Sequence, residues 1–322
     1  MVVTYRTLRK KDVGAVVSLA NMIEEQQHDA GRSTVEGLEQ LVSAPYIKAE
    51  EDFFVALNAD DEVVGGSMMM MRGNNGMVIA DVTVHPDYAQ KDVIAGLVER
   101  TEARTLQRAN AELADEPVVH LNFAVQDYKA SVRSVLEESG YSEVRRQYVM
   151  RVALDTRVEP PQFPAEYEFR AFDQERDAKR VHAVFQECFA DHWGEVAQIP
   201  FEQWEYQFKN PHFDPTLWYI LYHADDIAAI CLCEVTPREE GLGLVEVLGV
   251  RPAFRKHGLG GLLLRHAFYQ FQQGAYQHVA LDVDTENTTN AVALYEKAGM
   301  HIYRCTIAYR KVLRGNPDDI EE

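Results

Sequence analysis

The two halves of this 322-residue chain repeat one order of sequence signals, and this repeat constrains the fold more than any other feature. In each half, helical and strand-like segments lead to a strand that ends in Val-x-Pro, at Val84 and at Val250. A later helix in each half ends in a glycine, at Gly140 and at Gly299. The first two landmarks are 166 residues apart and the second two are 159 apart. This near agreement predicts a tandem duplication.

The elements of the second half can be read from their periodicity. Leu244–Val250 is an apolar run typical of a strand, and Tyr303–Leu313 alternates along its length as a half-buried strand does. Gly258–Phe271 has apolar residues spaced by four, which predicts an amphipathic helix that ends at Gly274. Strands interleaved with helices predict an α/β fold around a mixed sheet in each half.

A proline-rich segment separates the two halves. Arg157–Pro164 carries three prolines and breaks both helix and strand periodicity. We therefore expect an N-terminal domain over residues 1–156, a linker over 157–165, a C-terminal domain over 166–314 and an acidic tail over 315–322.

The composition narrows the class of protein. The net charge of −19 disfavours binding to nucleic acid or to anionic membranes. No apolar run approaches the roughly 20 residues that cross a bilayer, and the N-terminus lacks a signal-peptide core, which favours a cytoplasmic protein. Cys231 and Cys233 are spaced to share one strand face, so we interpret the four cysteines as reduced thiols and expect no metal site.

A glycine-rich loop follows the strand that ends at Val250. Its sequence, Arg255-Lys-His-Gly-Leu-Gly260, stands directly before the predicted helix. Glycines allow positive φ and close backbone approach, and the free N–H groups of a helix N-terminus favour a pyrophosphate. Arg255 and Lys256 add positive charge at the rim. By itself, a Gly-x-Gly pair before a helix is equally typical of a tight turn.

The context of this loop resembles a known family. The pattern Val-x-Pro-x-x-Arg-x-x-Gly-x-Gly over residues 250–260 resembles motif A of the GNAT (Gcn5-related N-acetyltransferase) superfamily. Residues 286–291 and 294–300 resemble the fourth-helix signature of the same superfamily. The two-domain layout, with Asp191-His-Trp-Gly194 early in the second half, is similar to the tandem mycothiol synthase family. The resemblance implies two tandem GNAT folds, each with a mixed, mostly antiparallel, twisted sheet flanked by helices.

The resemblance also implies that acetyl-CoA binds in the C-terminal domain. The strand ending at Val250 would splay from its neighbour and hold the pantetheine arm, with Gly249 suited to a bulge. The loop and the first turn of the next helix would hold the pyrophosphate. The expected cofactor-binding residues are Leu248, Gly249, Val250, Arg255, Lys256, His257, Gly258, Leu259, Gly260, Gly261 and Asn287.

Acetyl transfer to an amine needs a base, a donor to the developing oxyanion and an acid for the departing thiolate. Tyr295 matches the tyrosine that protonates the CoA sulfur in GNAT enzymes, the alternative being a tyrosine packed between helix and sheet. Glu246 is a carboxylate in an apolar strand, which is costly unless it is paired or functional, and we expect it to be the base, acting through water. The resemblance would place a substrate-contacting acid two positions earlier, where this chain has Leu244. A backbone N–H near Leu248 is the expected oxyanion donor.

The acceptor pocket is expected around Glu246. Asp282 and Asp284 share one strand face, which fits a cleft or plain solvent equally. Asp191 is also typical of a helix cap and Trp193 of a core residue. The candidate substrate-binding residues are Asp191, Trp193, Glu234, Asp282 and Asp284.

The first half lacks the features of this loop. When the Val-x-Pro segments are aligned, Ala89, Asp92 and Ile94 take the positions of the arginine and the two glycines, and Leu136 replaces the tyrosine. A carboxylate repels phosphate, and a β-branched residue resists the backbone conformations that glycine allows. We therefore expect a degenerate first domain.

Together these features predict an acetyl-CoA-dependent N-acetyltransferase, in which the primary amine of a small molecule attacks directly. The alternatives are acyl transfer to a protein N-terminus or from a longer acyl-CoA, and a CoA-binding sensor or scaffold without turnover. No nucleic-acid or membrane partner is expected, and no signal predicts a particular amine or oligomeric state.

Overall fold

The computed structural model describes residues 2–26, 33–43, 47–71, 76–190, 199–209, 213–235, 239–286 and 291–320. Helices and strands are interleaved along these ranges, and the predicted α/β class is confirmed. Within the same ranges, no helix combines the length and the apolar character that a membrane span requires.

The first structural unit is formed by residues up to Arg146 together with residues from Cys305 onward. Its strands are β1 (Thr4–Thr7), β2 (Phe53–Leu57), β3 (Val63–Met70), β4 (Met77–Val84), β5 (Val119–Gln126) and most of β12 (His301–Arg314). Its helices are α1 (Val13–Gln26), α2 (Val35–Val42), α3 (Ala49–Asp52), α4 (Lys91–Glu112) and α5 (Ala130–Glu138). The strand order is β1-β2-β3-β4-β5-β12, with β4 and β5 parallel and the other neighbours antiparallel.

The second structural unit runs from Gln147 to Arg304. Its strands are most of β6 (Ser142–Ala153), β7 (Tyr167–Arg170), β8 (Trp218–His223), β9 (Asp226–Val235), β10 (Leu242–Val250) and β11 (His278–Asp284). Its helices are α6 (Gln174–Cys188), α7 (Phe201–Trp204), α8 (Leu259–Gln273) and α9 (Ala291–Lys297). The strand order is β6-β11-β10-β9-β8-β7, with β10 and β11 parallel and the other neighbours antiparallel.

The two units therefore have the same sheet topology. In both, three antiparallel strand pairs lead to one parallel pair, and an antiparallel strand completes the sheet. Identical pairing in two segments of one chain is what a tandem duplication produces, so the topology agrees with the internal repeat.

The first unit is formed by two separate segments and the second begins at Gln147, so both units differ in extent from the domains expected at 1–156 and 166–314. In the first unit, the chain's last long strand, β12, pairs with β5 from Thr306 to Arg314. In the second unit, β6 comes from the first half of the sequence and pairs with β11 along all seven β11 residues. Each half thus contributes its final strand to the other unit's sheet. Sequence periodicity identifies such strands but contains no information on which edge they pair with.

Two hydrophobic clusters lie on opposite faces of the second unit's sheet. Alternate residues of β9 divide between them, since Cys231 and Cys233 pack with α8 whereas Ile230 and Leu232 pack with α6. The Cys231 and Cys233 sulfurs lie 3.6 Å apart as free thiols, as their spacing predicted.

Helix α8 packs closely against β10 because its apolar residues form one stripe. Leu259, Leu263, Ala267 and Phe271 are all at most 1% exposed. A Cβ at Gly243 of β10 would lie 2.4 Å from the Phe271 ring, so a glycine is required where the helix approaches the strand. The predicted end of the helix is confirmed, because the Gly274 N–H donates to the carbonyl of Gln270.

Candidate functional site

Strands β10 and β11 separate along their length and open a cavity. They pair only from Leu242 to Leu244 of β10, opposite residues 278–280. Beyond Leu244, a cavity of about 790 Å³ lies where further pairing would occur. Residues of β10, β11, α6, α9 and the start of α8 line it. The expected splay of β10 from its neighbour is therefore present.

The bulge in β10 lies at Glu246 and not at Gly249. The register with β9 shifts between Val245 and Val247, so Glu246 is the extra residue, whereas Gly249 pairs regularly with Ile230. The expectation of a bulge at Gly249 is wrong. Gly249 instead allows close packing, since a Cβ there would lie 3.0 Å from the Cys188 sulfur of α6.

The loop before α8 presents backbone N–H groups to the cavity. Gly258 has φ 76° and Lys256 φ 68°, both in the left-handed region. The first intrahelical bond runs from the Leu262 N–H to the Gly258 carbonyl at 3.2 Å. The N–H groups of residues 259–261 precede it and have no carbonyl acceptor within the helix. Gly258, Leu259, Gly260 and Gly261 all line the cavity, so the geometry fits an anion held by main-chain amides.

Two side chains of this loop bind other parts of the protein. The Arg255 guanidinium donates to the carbonyl of Val250 at 3.1 Å and to that of Cys188 at 3.4 Å. The His257 ring forms a hydrogen bond with the Tyr167 hydroxyl at 3.3 Å. Arg255 therefore fixes the loop to β10 and to the end of α6, and the positive side chain of Lys256 lines the cavity beside it.

Tyr295 on α9 lies in the wall of the cavity. Its side chain is 8% exposed and packs in the same cluster as Cys231 and the α8 stripe. Burial, with a smaller contribution from Cys231, raises the pKa of the Tyr295 phenol to about 12. The hydroxyl therefore stays protonated at neutral pH and can donate a proton or a hydrogen bond into the cavity.

Glu246 faces the cavity from the bulge. Its side chain is exposed to this space, yet protein surrounds it closely. This partial burial, followed by the negative charges of Glu234 and Asp282, raises the pKa of Glu246 to about 7. Near neutral pH the carboxyl is thus divided between its acid and base forms, which is the range where a general base is most effective.

The other predicted carboxylates occupy different places. Asp282 and Asp284 of β11 line the large cavity, whereas Glu234 lines a smaller cavity that Glu246 also borders. Burial raises the pKa of Asp282, and the charge of Arg304 opposes that rise. Asp284 accepts a hydrogen bond from the Glu286 N–H at 3.0 Å, which ends the strand in a turn. Among the described residues, no cluster of His, Cys, Asp and Glu is arranged to hold a metal ion.

Residues 178–300 match the family model of the acetyltransferase (GNAT) family. All described residues that line the large cavity lie in this segment, except Gln147. This segment is a GNAT domain. A mycothiol acetyltransferase from Thermobispora bispora is 30% identical over 176 residues, which cover 53% of this chain and 59% of that relative. The aligned part thus spans about three fifths of that relative's length.

Solved structures share the fold over nearly the full chain. A GCN5-related N-acetyltransferase from Sphaerobacter thermophilus superposes with a TM-score of 0.83 at 24% identity, covering 98% of this chain and 97% of that one. A tandem GNAT protein from the clavulanic acid biosynthesis pathway superposes with a TM-score of 0.71 at 14% identity, covering 98% of this chain and 100% of that one. The predicted tandem GNAT fold is confirmed.

Several residues of the GNAT domain's cavity were not predicted. Phe185, Cys188 and Phe189 contribute from the end of α6, and Gln147 contributes from β6. No spacing in the sequence identifies them, because they reach the cavity only through packing across the sheet. Three predicted site residues, Asp191, Trp193 and Asn287, lie outside the described residues.

The corresponding region of the first unit has a different geometry. The register between β3 and β4 runs without a shift from Gly65 opposite Val84 onward, so β4 has no bulge. Helix α4 begins at Lys91, and Ile94 in its first turn is fully buried where the second unit has a glycine. The Lys129 ammonium donates to the Thr83 hydroxyl on β4 at 3.3 Å. These features differ from those of the second unit, and the degenerate character of the first domain stays a prediction.

Proposed function

We propose that this protein is an acetyl-CoA-dependent N-acetyltransferase, with its active site in the second unit and the primary amine of a small molecule as acceptor. The observation that carries the proposal is one cavity in which an amide-lined loop, a carboxyl with a pKa of about 7 and a protonated buried tyrosine meet. An anion site alone fits any CoA binder, whereas the acid and base pair fits acyl transfer.

The cavity residues fit acetyl-CoA, which supplies the acetyl group as an activated thioester. The amides of residues 259–261 would hold its pyrophosphate, with Lys256 adding positive charge. The unpaired edge of β10 beyond Leu244, including Leu248, Gly249 and Val250, would bind the pantetheine arm. Phe185 and Phe189 line the same cavity and would exclude water from the reacting end of the bound cofactor.

Glu246 and Tyr295 would transfer the protons that leave the amine and reach the thiolate. An alkylamine with a pKa near 10 is mostly protonated at neutral pH and must lose a proton before its nitrogen can attack. Glu246, ionised in part at pH 7, accepts that proton directly or through water. As the new C–N bond forms and the C–S bond breaks, the Tyr295 hydroxyl donates a proton to the departing sulfur, and the excess proton that the nitrogen then carries returns to the phenolate, directly or through water. A small-molecule acceptor agrees with relatives that are mycothiol acetyltransferases.

The decisive test replaces Tyr295 by phenylalanine, which removes the hydroxyl and keeps the ring. Tyr206→Phe is the matched control, because Tyr206 is 64% exposed and belongs to the same unit. Thiol release from acetyl-CoA is measured with a panel of small amines, and acetyl-CoA affinity by calorimetry. We expect Tyr295→Phe to lower kcat by at least about tenfold while the Kd stays within about twofold. Binding of acetyl-CoA without thiol release for any amine would instead identify a sensor.

A further inference from the structure

Two carboxyls lie at the point where strands β10 and β11 separate. The last parallel pair of these strands is Leu244 with Ala280. Glu246 and Asp282 each lie two residues beyond that pair, one on either strand, and both line the large cavity. The start of the split between the strands therefore has one carboxyl on each side.

Both carboxyls lie on the face of the sheet away from α8. Leu281 and Val283, the neighbours of Asp282 in β11, pack in the core cluster of α8. Because side chains alternate along a strand, Asp282 projects from the opposite face. Glu246 reaches that face as well, since it lines the smaller cavity together with Trp218, which packs with α6.

The proposed acid lies on the other side of the split. Tyr295 packs in the cluster of α8, and it lines the large cavity but not the smaller one. The acid and the two carboxyls are thus separated by the plane of the sheet. An acceptor that enters from the side opposite Tyr295 meets Asp282 and Glu246 first.

Strand pairing fixes the position of each carboxyl. The residues before and after Glu246 pair with Cys233 and Leu232 of β9, and Asp282 pairs with Val149 of β6. The two side chains therefore extend from paired strands and not from a loop. A site built on such elements holds its groups more precisely than a site built on loops.

The charge of Asp282 influences the ionisation of Glu246. Burial, then the charges of Glu234 and Asp282, raise the pKa of Glu246 to about 7, and the nearby Cys233 thiol stays protonated because burial raises its pKa. Burial also raises the pKa of Asp282, whereas the positive charge of Arg304 opposes that rise and favours the ionised form. A cation placed between two carboxyls relieves their repulsion, so the split favours an ammonium group over an uncharged one.

We infer that Asp282 binds the acceptor and holds the ammonium group of a primary alkylamine across the split from Glu246. The inference rests on the proposed acetyl transfer and assigns recognition of the acceptor to a residue other than the base. The ammonium loses one proton to Glu246, and its nitrogen then attacks, while Asp282 neither gains nor loses a proton. Glu246 later releases the proton to solvent, which restores the starting state.

The test measures thiol release from acetyl-CoA by the full-length protein, with benzylamine, butylamine and glucosamine as acceptors. Asp282→Asn removes the charge and keeps the size and a carbonyl oxygen, whereas Asp282→Glu keeps the charge. Asp225→Asn is the matched control, because Asp225 is an exposed acid in the turn between β8 and β9 and does not line the cavity. Acetyl-CoA affinity by calorimetry shows whether each variant keeps its folded cofactor site.

For each amine that the wild-type protein accepts, Asp282→Asn should raise KM at least about tenfold and change kcat less than about threefold. Asp282→Glu and Asp225→Asn should keep KM within about threefold of wild type. Because the negative charge of Asp282 raises the pKa of Glu246, Asp282→Asn should also shift the acid limb of the kcat/KM profile to lower pH.

Two results would overturn the inference and leave the proposed acetyl transfer intact. One is an equal rise in KM for Asp282→Asn and Asp282→Glu, which would indicate a purely structural role for the side chain. The other is an unchanged KM and an unchanged acid limb in Asp282→Asn while thiol release continues. No thiol release from the wild-type protein with any of the three amines would overturn both proposals.

Discussion

Replacing Glu246 by glutamine should stabilise the second unit at alkaline pH while it removes the proposed base. The substitution keeps the size of the side chain and removes its ionisation. The folded state raises the pKa of Glu246 from the ordinary 4.5 to about 7, chiefly through burial, so the folded protein binds this proton more tightly than the unfolded chain does. The ionised carboxylate is therefore a destabilising group in the native cavity.

The sign of the stability change and its pH window follow from the two pKa values of Glu246. Below about pH 4.5 the carboxyl is protonated in both states and contributes no pH-dependent difference. The destabilisation grows as pH rises from 4.5 to 7 and is complete above about 7. A fully buried group with this difference would lose about 3 kcal/mol. Because the Glu246 side chain is exposed to the cleft, solvent screening reduces the expected value to about 1 kcal/mol.

Urea-induced unfolding, monitored by tryptophan fluorescence, measures this change in the stability of the second unit. All three tryptophans lie in the sequence between Gln147 and Arg304, so their emission reports the second unit. At pH 8, Glu246→Gln should raise the unfolding midpoint relative to wild type, and at pH 5 the gain should be much smaller. Glu240→Gln, at an exposed position, should show no such pH dependence. A loss of stability for Glu246→Gln, or an equal gain at both pH values, would refute the reasoning.

Two further predictions follow from the loop and from the strand pairing. Gly258→Ala should lower the free energy of unfolding by about 1 kcal/mol and weaken acetyl-CoA binding in calorimetry, because φ at Gly258 is 76°, although no atom lies within 4 Å of an added Cβ. The control Gly14→Ala, in open space on α1 with ordinary φ, should be neutral or stabilising. Equal losses at both sites would contradict a backbone cause. A fragment of residues 147–304 should be soluble and unfold cooperatively on heating, as measured by circular dichroism. A fragment of residues 166–314 should aggregate, because it lacks strand β6, which pairs with β11 and carries the fully buried Met150. Equal behaviour of the two fragments would contradict the unit boundaries.

The candidate site was predictable where its signals are local. The loop before α8 combines glycines, a preceding strand and an amphipathic helix within one short segment, and the helix forms one face of the core as predicted. Glu246 was identified because a charge in an apolar strand is costly, and the structure places it at the boundary of two cavities. The bulge was assigned to Gly249 instead of Glu246, because a glycine in a strand indicates either a bulge or a close neighbour, and only the position of Cys188 distinguishes the two.

The sequence by itself determined the repeat, the α/β class of each half and the loop that fits an anion. These features depend on periodicity and on the backbone preferences of single residues, which act over a few positions along the chain. Only the tertiary structure decided that β6 completes the sheet of the second unit and β12 that of the first. It also decided that Trp204, Phe213 and Trp218 line the smaller cavity beside Glu246. Strand edges and cavity walls join residues far apart in sequence, and their pairing is chosen by the packing free energy of the whole domain. For that reason the glycine loop could be predicted from the sequence, whereas the cavity walls beside Glu246 could not.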